Sequence, residues 1–132
     1  MYLLDTNICI YAMKNTYPSL SQMLFMIPPS EIFISSITVG ELEYGSFKSK
    51  WGERSRNTMY LFLSAYTILP FDANDAFAFG KIRAELAKVG SPIGPYDLLI
   101  AAQGISHGLT VVTHNTKEFS RVNGIDLADW TI

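Results

Sequence analysis

Four carboxylates, Asp5, Glu41, Asp97 and Glu118, lie far apart along the chain, yet each stands where a strand-like or turn segment runs into the start of a helix. Carboxylates gathered in one pocket cannot all remain ionised without protonation or a compensating cation. Oxygen ligands of this kind suit a hard divalent ion, Mg²⁺ or Mn²⁺. Such an ion lowers the pKa of water, orients a phosphate and stabilises charge on the attacking and leaving oxygens, so phosphodiester hydrolysis follows naturally. Every one of the four also has a local explanation. Asp5 suits a turn, Glu41 has the spacing to reach back to the N–H of Thr38 in a capping box, Asp97 complements a helix dipole, and Glu118 reads as a surface acid.

The elements around them can be read from local signals. Tyr2 to Leu4 is a short apolar run that stops at Asp5, with Thr6 or Asn7 as the N-cap of a first helix, which leaves Asp5 at the carboxyl end of a strand. Pro18 to Ile27 resembles an amphipathic helix closed by Pro28 and Pro29. Ile32 to Ser35 is a buried strand, and Thr38 opens a helix that ends between Ser49 and Gly52. A further helix is expected over Asn57 to Tyr66 and a short strand at Ile68 and Leu69. Asp72 caps a helix from Ala73 to Val89, with Asp75 at capping-box spacing, so both acids are assigned to structure. Gly94 and Pro95 then open an apolar helix with Asp97 in its first turn. Gly108 ends that helix, Leu109 to Val112 is a buried strand, Thr113 to Asn115 marks its carboxyl end, and Ile125 to Leu127 is a last strand. Strands alternating with helices predict a three-layer α/β/α domain with a central, mainly parallel sheet of four or five strands. Right-handed crossovers place the strand ends, and with them the acids, on one edge.

Composition limits the alternatives. With 132 residues, 48% of them hydrophobic, the chain is expected to form a single domain over 1–132. No apolar run approaches the roughly 20 residues of a membrane span and no secretory leader is recognisable, so a cytoplasmic protein is expected. Cys9 is the only cysteine, which excludes an internal disulfide and a thiolate metal cluster. A net charge of −2 offers no global attraction for nucleic acid. Local attraction is available: Lys48, Lys50, Arg54 and Arg56 surround Trp51 and outnumber Glu53, and Lys81 and Arg83 follow on a later helix. These six are the candidate RNA contacts.

Leu4-Asp5-Thr6-Asn7, the run from Ser36 to Leu42, Pro95-Tyr96-Asp97 with the apolar residues to Ala102, and Val112-Thr113-His114-Asn115 together resemble the PIN-domain ribonucleases. More closely, they resemble the VapC toxins of type II toxin–antitoxin pairs. The run from Arg83 to Ala87 leading to Gly94-Pro95-Tyr96-Asp97 is similar to the enteric members, which cut initiator tRNA in its anticodon stem-loop. The resemblance implies a Mg²⁺-dependent endoribonuclease that inhibits translation, with Asp5 and Asp97 as metal ligands and Glu41 positioning metal or water. Thr6 and Asn7 would support the site. Many members carry a fourth Asp where this chain has Asn115, and Glu118 would supply that charge. The family further implies a homodimer, a tRNA substrate and a VapB-type antitoxin seated in an apolar groove, for which Tyr11, Tyr44, Phe47 and Met59 are candidates. Two other classes remain open at this level. A non-catalytic RNA- or protein-binding module would reduce every acid to a cap. A phosphoaspartate or receiver-type domain would use Asp5, although neither an Asp-x-Asp pair nor a Lys beside Val111 and Val112 is present.

Overall fold

The computed structural model describes residues 1–132. Five parallel strands form one sheet: β1 (Tyr2–Leu4), β2 (Ile32–Ser35), β3 (Thr67–Leu69), β4 (Thr110–Val112) and β5 (Asp126–Ala128), in the order β3-β2-β1-β4-β5. The first strand in sequence is therefore the central one. It pairs Leu4 with Ile34 on one side and with Val112 on the other.

Seven helices cover the two faces: α1 (Thr6–Lys14), α2 (Pro18–Met26), α3 (Ser36–Lys48), α4 (Gly52–Leu63), α5 (Ala73–Lys88), α6 (Pro95–His107) and α7 (Thr116–Phe119). Alternation along the strands separates the core into two layers. Leu3 and Val111 pack with Ile82, Leu86 and Leu98 of α5 and α6. Leu4 and Val112 turn to the opposite side and pack with Ile8, Leu42 and Met59 of α1, α3 and α4. The expected three-layer architecture is present, with all five strands parallel.

Local signals at α5 and α6 act as expected. Asp72 accepts from the N–H of Asp75 at 3.0 Å while Asp75 accepts from the N–H of Asp72 at 2.9 Å, a complete capping box. Gly94 caps α6 ahead of Pro95, and Gly108 closes it in the left-handed region at φ 64°. Gly104 lets α6 lie directly on the sheet, because a Cβ there would stand 2.6 Å from Val111 Cγ2.

Three boundaries differ from expectation. Asp5 itself, rather than Thr6 or Asn7, caps α1 by accepting from Ile8 N–H at 2.8 Å. Helix α3 begins at Ser36 because Ser35 caps it through Ile37 N–H at 3.0 Å, so Thr38 and Glu41 form no capping box. Helix α4 starts at Gly52, five residues before the expected Asn57, and takes in much of the basic stretch. No helix is long and apolar enough to cross a membrane.

Candidate active site

Parallel register carries the ends of β1, β2 and β4 to one edge, and the acids collect there. Asp5 is 3% exposed, and its backbone N–H extends the ladder to Val112 at 3.0 Å. Burial raises its pKa above the ordinary value, opposed by the Thr113 side chain and the Ile8 N–H that bond the charged form. The charge of Glu41 raises it further.

Glu41 lies in the second turn of α3 and is held from α1. The Thr6 hydroxyl donates to Glu41 Oε1 at 2.6 Å. Because that uses its only hydrogen, the 3.0 Å contact between Thr6 and Thr38 runs from the Thr38 hydroxyl to the Thr6 oxygen. A donor chain, Thr38 to Thr6 to Glu41, thus fixes the carboxylate. Thr6 supports the site through Glu41 rather than through Asp5, and Asn7 is exposed.

Asp97 occupies the first turn of α6, where the dipole favours negative charge. The dipole is outweighed. Burial, followed by the charges of Asp5, Glu118 and Glu41, pushes the Asp97 carboxyl up to about 6. The acids crowd one edge; no Lys or Arg forms an ion pair with any of them, and Arg121 eases only Glu118.

Glu118 plays a different part. Its Oε1 accepts from Gly94 N–H at 2.7 Å and its Oε2 from Asn115 Nδ2 at 2.6 Å. These bonds hold its pKa below the ordinary value. A Cβ at Gly94 would stand 3.6 Å from Glu118 Oε1 and 3.8 Å from Asp97 Oδ2, so the two carboxylates share one neighbourhood. Asn115 orients Glu118 and leaves it the charge.

The basic candidates divide. Arg56 is occupied: it pairs with Glu43, donates to Tyr60 Oη at 2.9 Å and lies 4.1 Å over the Phe47 ring. Arg54 lines a cavity of about 610 Å³ that also reaches Glu41, Met13, Leu42, Trp51 and Met59. Lys48 and Lys50 are exposed beside it, with Lys50 Nζ 5.3 Å from the Trp51 ring centre. On α5, Lys81 borders a hollow shared with Ile105 and Asn123, and Arg83 one shared with Pro92 and Pro95. Neither hollow includes Asp5, Glu41 or Asp97. Of the apolar groove candidates, Met59 lines the 610 Å³ cavity, whereas Tyr11, Tyr44 and Phe47 do not.

A second group, Asp72, Asp75 and His107, could also hold a metal, with one ligand atom from each residue all within 4.8 Å of one another. Its charges do not act on Asp97, whose perturbing neighbours are Asp5, Glu118 and Glu41.

Sequence reasoning missed Thr38, Thr113 and Asp129, the last of which adds its charge to the field at Asp5. Threonines following buried strands were the available signal for the first two. Nothing local marks Asp129.

The fold and this acid cluster define a class. Residues 2–125 match the PIN domain family. The tRNA(fMet)-specific endonuclease VapC of Shigella flexneri is 44% identical over 130 residues, covering 98% of both chains. The Salmonella typhimurium enzyme of the same name is 45% identical over 129 residues, covering 98% of this chain and 97% of the relative. The DNA-bound VapBC structure from Salmonella typhimurium superposes with a TM-score of 0.93 at 43% identity, covering 98% of this chain and 97% of the other. This chain belongs to the PIN-domain family, within its VapC branch.

Proposed function

We propose that this protein is a Mg²⁺- or Mn²⁺-dependent endoribonuclease toxin that cuts tRNA at the Asp5–Glu41–Asp97 edge. The observation that carries the reading is electrostatic. Burial and three neighbouring carboxylates push Asp97 up to about 6, and no cationic side chain pairs with it. A hard divalent ion is the natural complement of that oxygen donor set.

Asp5 and Asp97 hold the metal, and Glu41, fixed by Thr6, positions the attacking water. When bound, the ion lowers the pKa of water and stabilises charge on the phosphate oxygens. Glu118 keeps the α7 turn against Gly94 and adds negative charge beside Asp97. Lys48, Lys50 and Arg54 offer phosphate contacts next to the cavity that reaches Glu41. Arg56 is already engaged, and Lys81 and Arg83 contribute at most to distant contacts. Hydrolysis leaves a 3′-hydroxyl and a 5′-phosphate, and loss of tRNA stops translation.

The relatives' names support initiator tRNA as the substrate. The VapBC structures support a VapB-type antitoxin as partner. The 610 Å³ cavity, lined by Ile10, Met13, Leu42, Trp51 and Met59, suits an apolar segment of that partner. A homodimeric, cytoplasmic protein with one PIN domain over 1–132 completes the reading. The metal belongs to the Asp97 cluster rather than to Asp72, Asp75 and His107, because Asp72 and Asp75 are already joined in a capping box.

The test is cleavage of total tRNA by antitoxin-free protein in Mg²⁺, with mapped ends, beside Asp5→Asn and an EDTA control. A discrete cut that needs both metal and Asp5 is the expected result. Folded protein that cuts nothing in Mg²⁺ or Mn²⁺ would return the chain to the binding-module class.

A further inference from the structure

His114 lies just beyond the end of β4, and the chemistry described so far gives it no part. It stands between Thr113, which bonds Asp5, and Asn115, which orients Glu118. Its side chain is 48% exposed. The ring is flanked by Tyr17 and Tyr11, with centroids 5.8 and 6.5 Å away.

Its tautomer follows from its partners. His114 Nδ1 lies 2.8 Å from Thr131 Oγ1 and 3.1 Å from Asp129 Oδ2. The single hydroxyl hydrogen of Thr131 is directed to Asp129 Oδ1 at 2.6 Å, so towards His114 this oxygen can only accept. Asp129 can only accept as well, because it is ionised. Burial pushes its carboxyl up, but the Thr131 hydroxyl, the Thr131 N–H and His114 together hold it below the ordinary value. Nδ1 therefore carries the hydrogen. In the neutral ring Nε2 is left as an acceptor, and it makes no hydrogen bond within the protein.

An RNA strand passing the acid edge offers few donors to such an atom. Phosphate oxygens only accept, and the negative charge of Asp129 beside the ring disfavours them. Base donors vary with sequence. The ribose 2′-hydroxyl is a neutral donor on every nucleotide, and it is the group that distinguishes RNA from DNA. We propose that His114, held by Asp129 and Thr131 between Tyr11 and Tyr17, accepts a hydrogen bond from the 2′-hydroxyl of a nucleotide beside the cut and so selects RNA. His114 is in this sense a specificity residue. The proposal rests on the nuclease reading above.

The experiment is single-turnover cleavage of a synthetic hairpin RNA spanning the mapped cut, and of the same hairpin with one 2′-deoxy nucleotide at each of the positions flanking the cut. Wild type, His114→Ala, Asp129→Asn and Asp5→Asn are compared, with circular dichroism melts to confirm folding. At one flanking position the deoxy substitution should slow wild type by about 3- to 10-fold, the range of one neutral hydrogen bond, and slow His114→Ala no further. Asp129→Asn, whose amide can donate to Nδ1 and move the ring hydrogen to Nε2, leaves a ring that can still donate to the 2′-hydroxyl oxygen, so it should keep part of the deoxy effect that His114→Ala loses. Deoxy and His114→Ala effects that multiply at every position overturn the proposal while leaving the nuclease reading intact. Absence of metal-dependent cleavage by wild type, or cleavage undiminished in Asp5→Asn, overturns both.

Discussion

Asp97 sits where two opposing influences meet, and the stronger one is measurable. Its place at the positive end of α6 favours ionisation, whereas burial and the charges of Asp5, Glu118 and Glu41 oppose it. The folded-state value of about 6 lies above the ordinary 3.8, so between these two the folded protein binds more protons than the unfolded chain. Stability of the metal-free protein is therefore lost, as far as this group is concerned, while pH rises from 3.8 to about 6. At neutral pH, Asp97→Asn should melt above wild type without metal, and the difference should shrink on acidification through this window; differential scanning calorimetry would read it. The same protons compete with the cation, so Mg²⁺ affinity by calorimetric titration should climb as pH rises through about 6 in wild type and be weaker, with a smaller pH dependence, in Asp97→Asn. That Asp5 and Asp97 would share one edge was legible because turn chemistry and helix starts are local signals. The fastening of Glu41 was not, since it depends on a threonine 35 positions away. Asp129 was invisible for the same reason, as its meaning comes from His114, 15 residues earlier, and from Asp5.

Among the elements, α6 is the one whose placement decides whether the cluster forms, because it carries Asp97 and lies flat on β4. Gly104 makes that contact possible: a methyl group there would sit 2.6 Å from Val111 Cγ2. Gly104→Ala should cost about 1–3 kcal/mol through overpacking, despite the better helix propensity of Ala, and urea unfolding would register the shift in midpoint. The capping box of α5 offers the matching test at the other group of acids. Asp72→Ala should lower stability by roughly 0.5–2 kcal/mol and leave metal-dependent cleavage rates unchanged, the pattern of a cap and not of a catalytic ligand. Boundaries of α5 and α6 were readable because Asp72, Gly94 and Gly108 are strong punctuation. At α3, Ser35, Ser36 and Thr38 all have N-cap chemistry, and choosing among them requires knowing where β2 stops pairing with β3. The start of α4 at Gly52 was hidden by its weak first turn, which has no side-chain cap.

In the molecule as a whole, alternating apolar runs and helices were enough to anticipate layers, parallel strands and a shared edge of acids. Strand order was not accessible, because it is set by which runs can be buried on both faces. The cavity beside Glu41 joins the acid edge to an apolar lining that includes Trp51 and Met59, so a partner seated there would meet both. Trp51→Ala should weaken antitoxin binding in a titration by at least tenfold, in the manner of an aromatic anchor, with cleavage by the free protein largely retained. The central position of β1 bears on how this protein is made. Its partners are β2, close behind it, and β4, which begins at Thr110. While the chain is still leaving the ribosome, Leu3 and Leu4 have only one neighbour to pair with, and the acid edge lacks both α6 and the Thr113 turn. A nascent chain therefore has no complete acid edge until α6 and the Thr113 turn have both emerged, and whatever chemistry that edge performs waits for them.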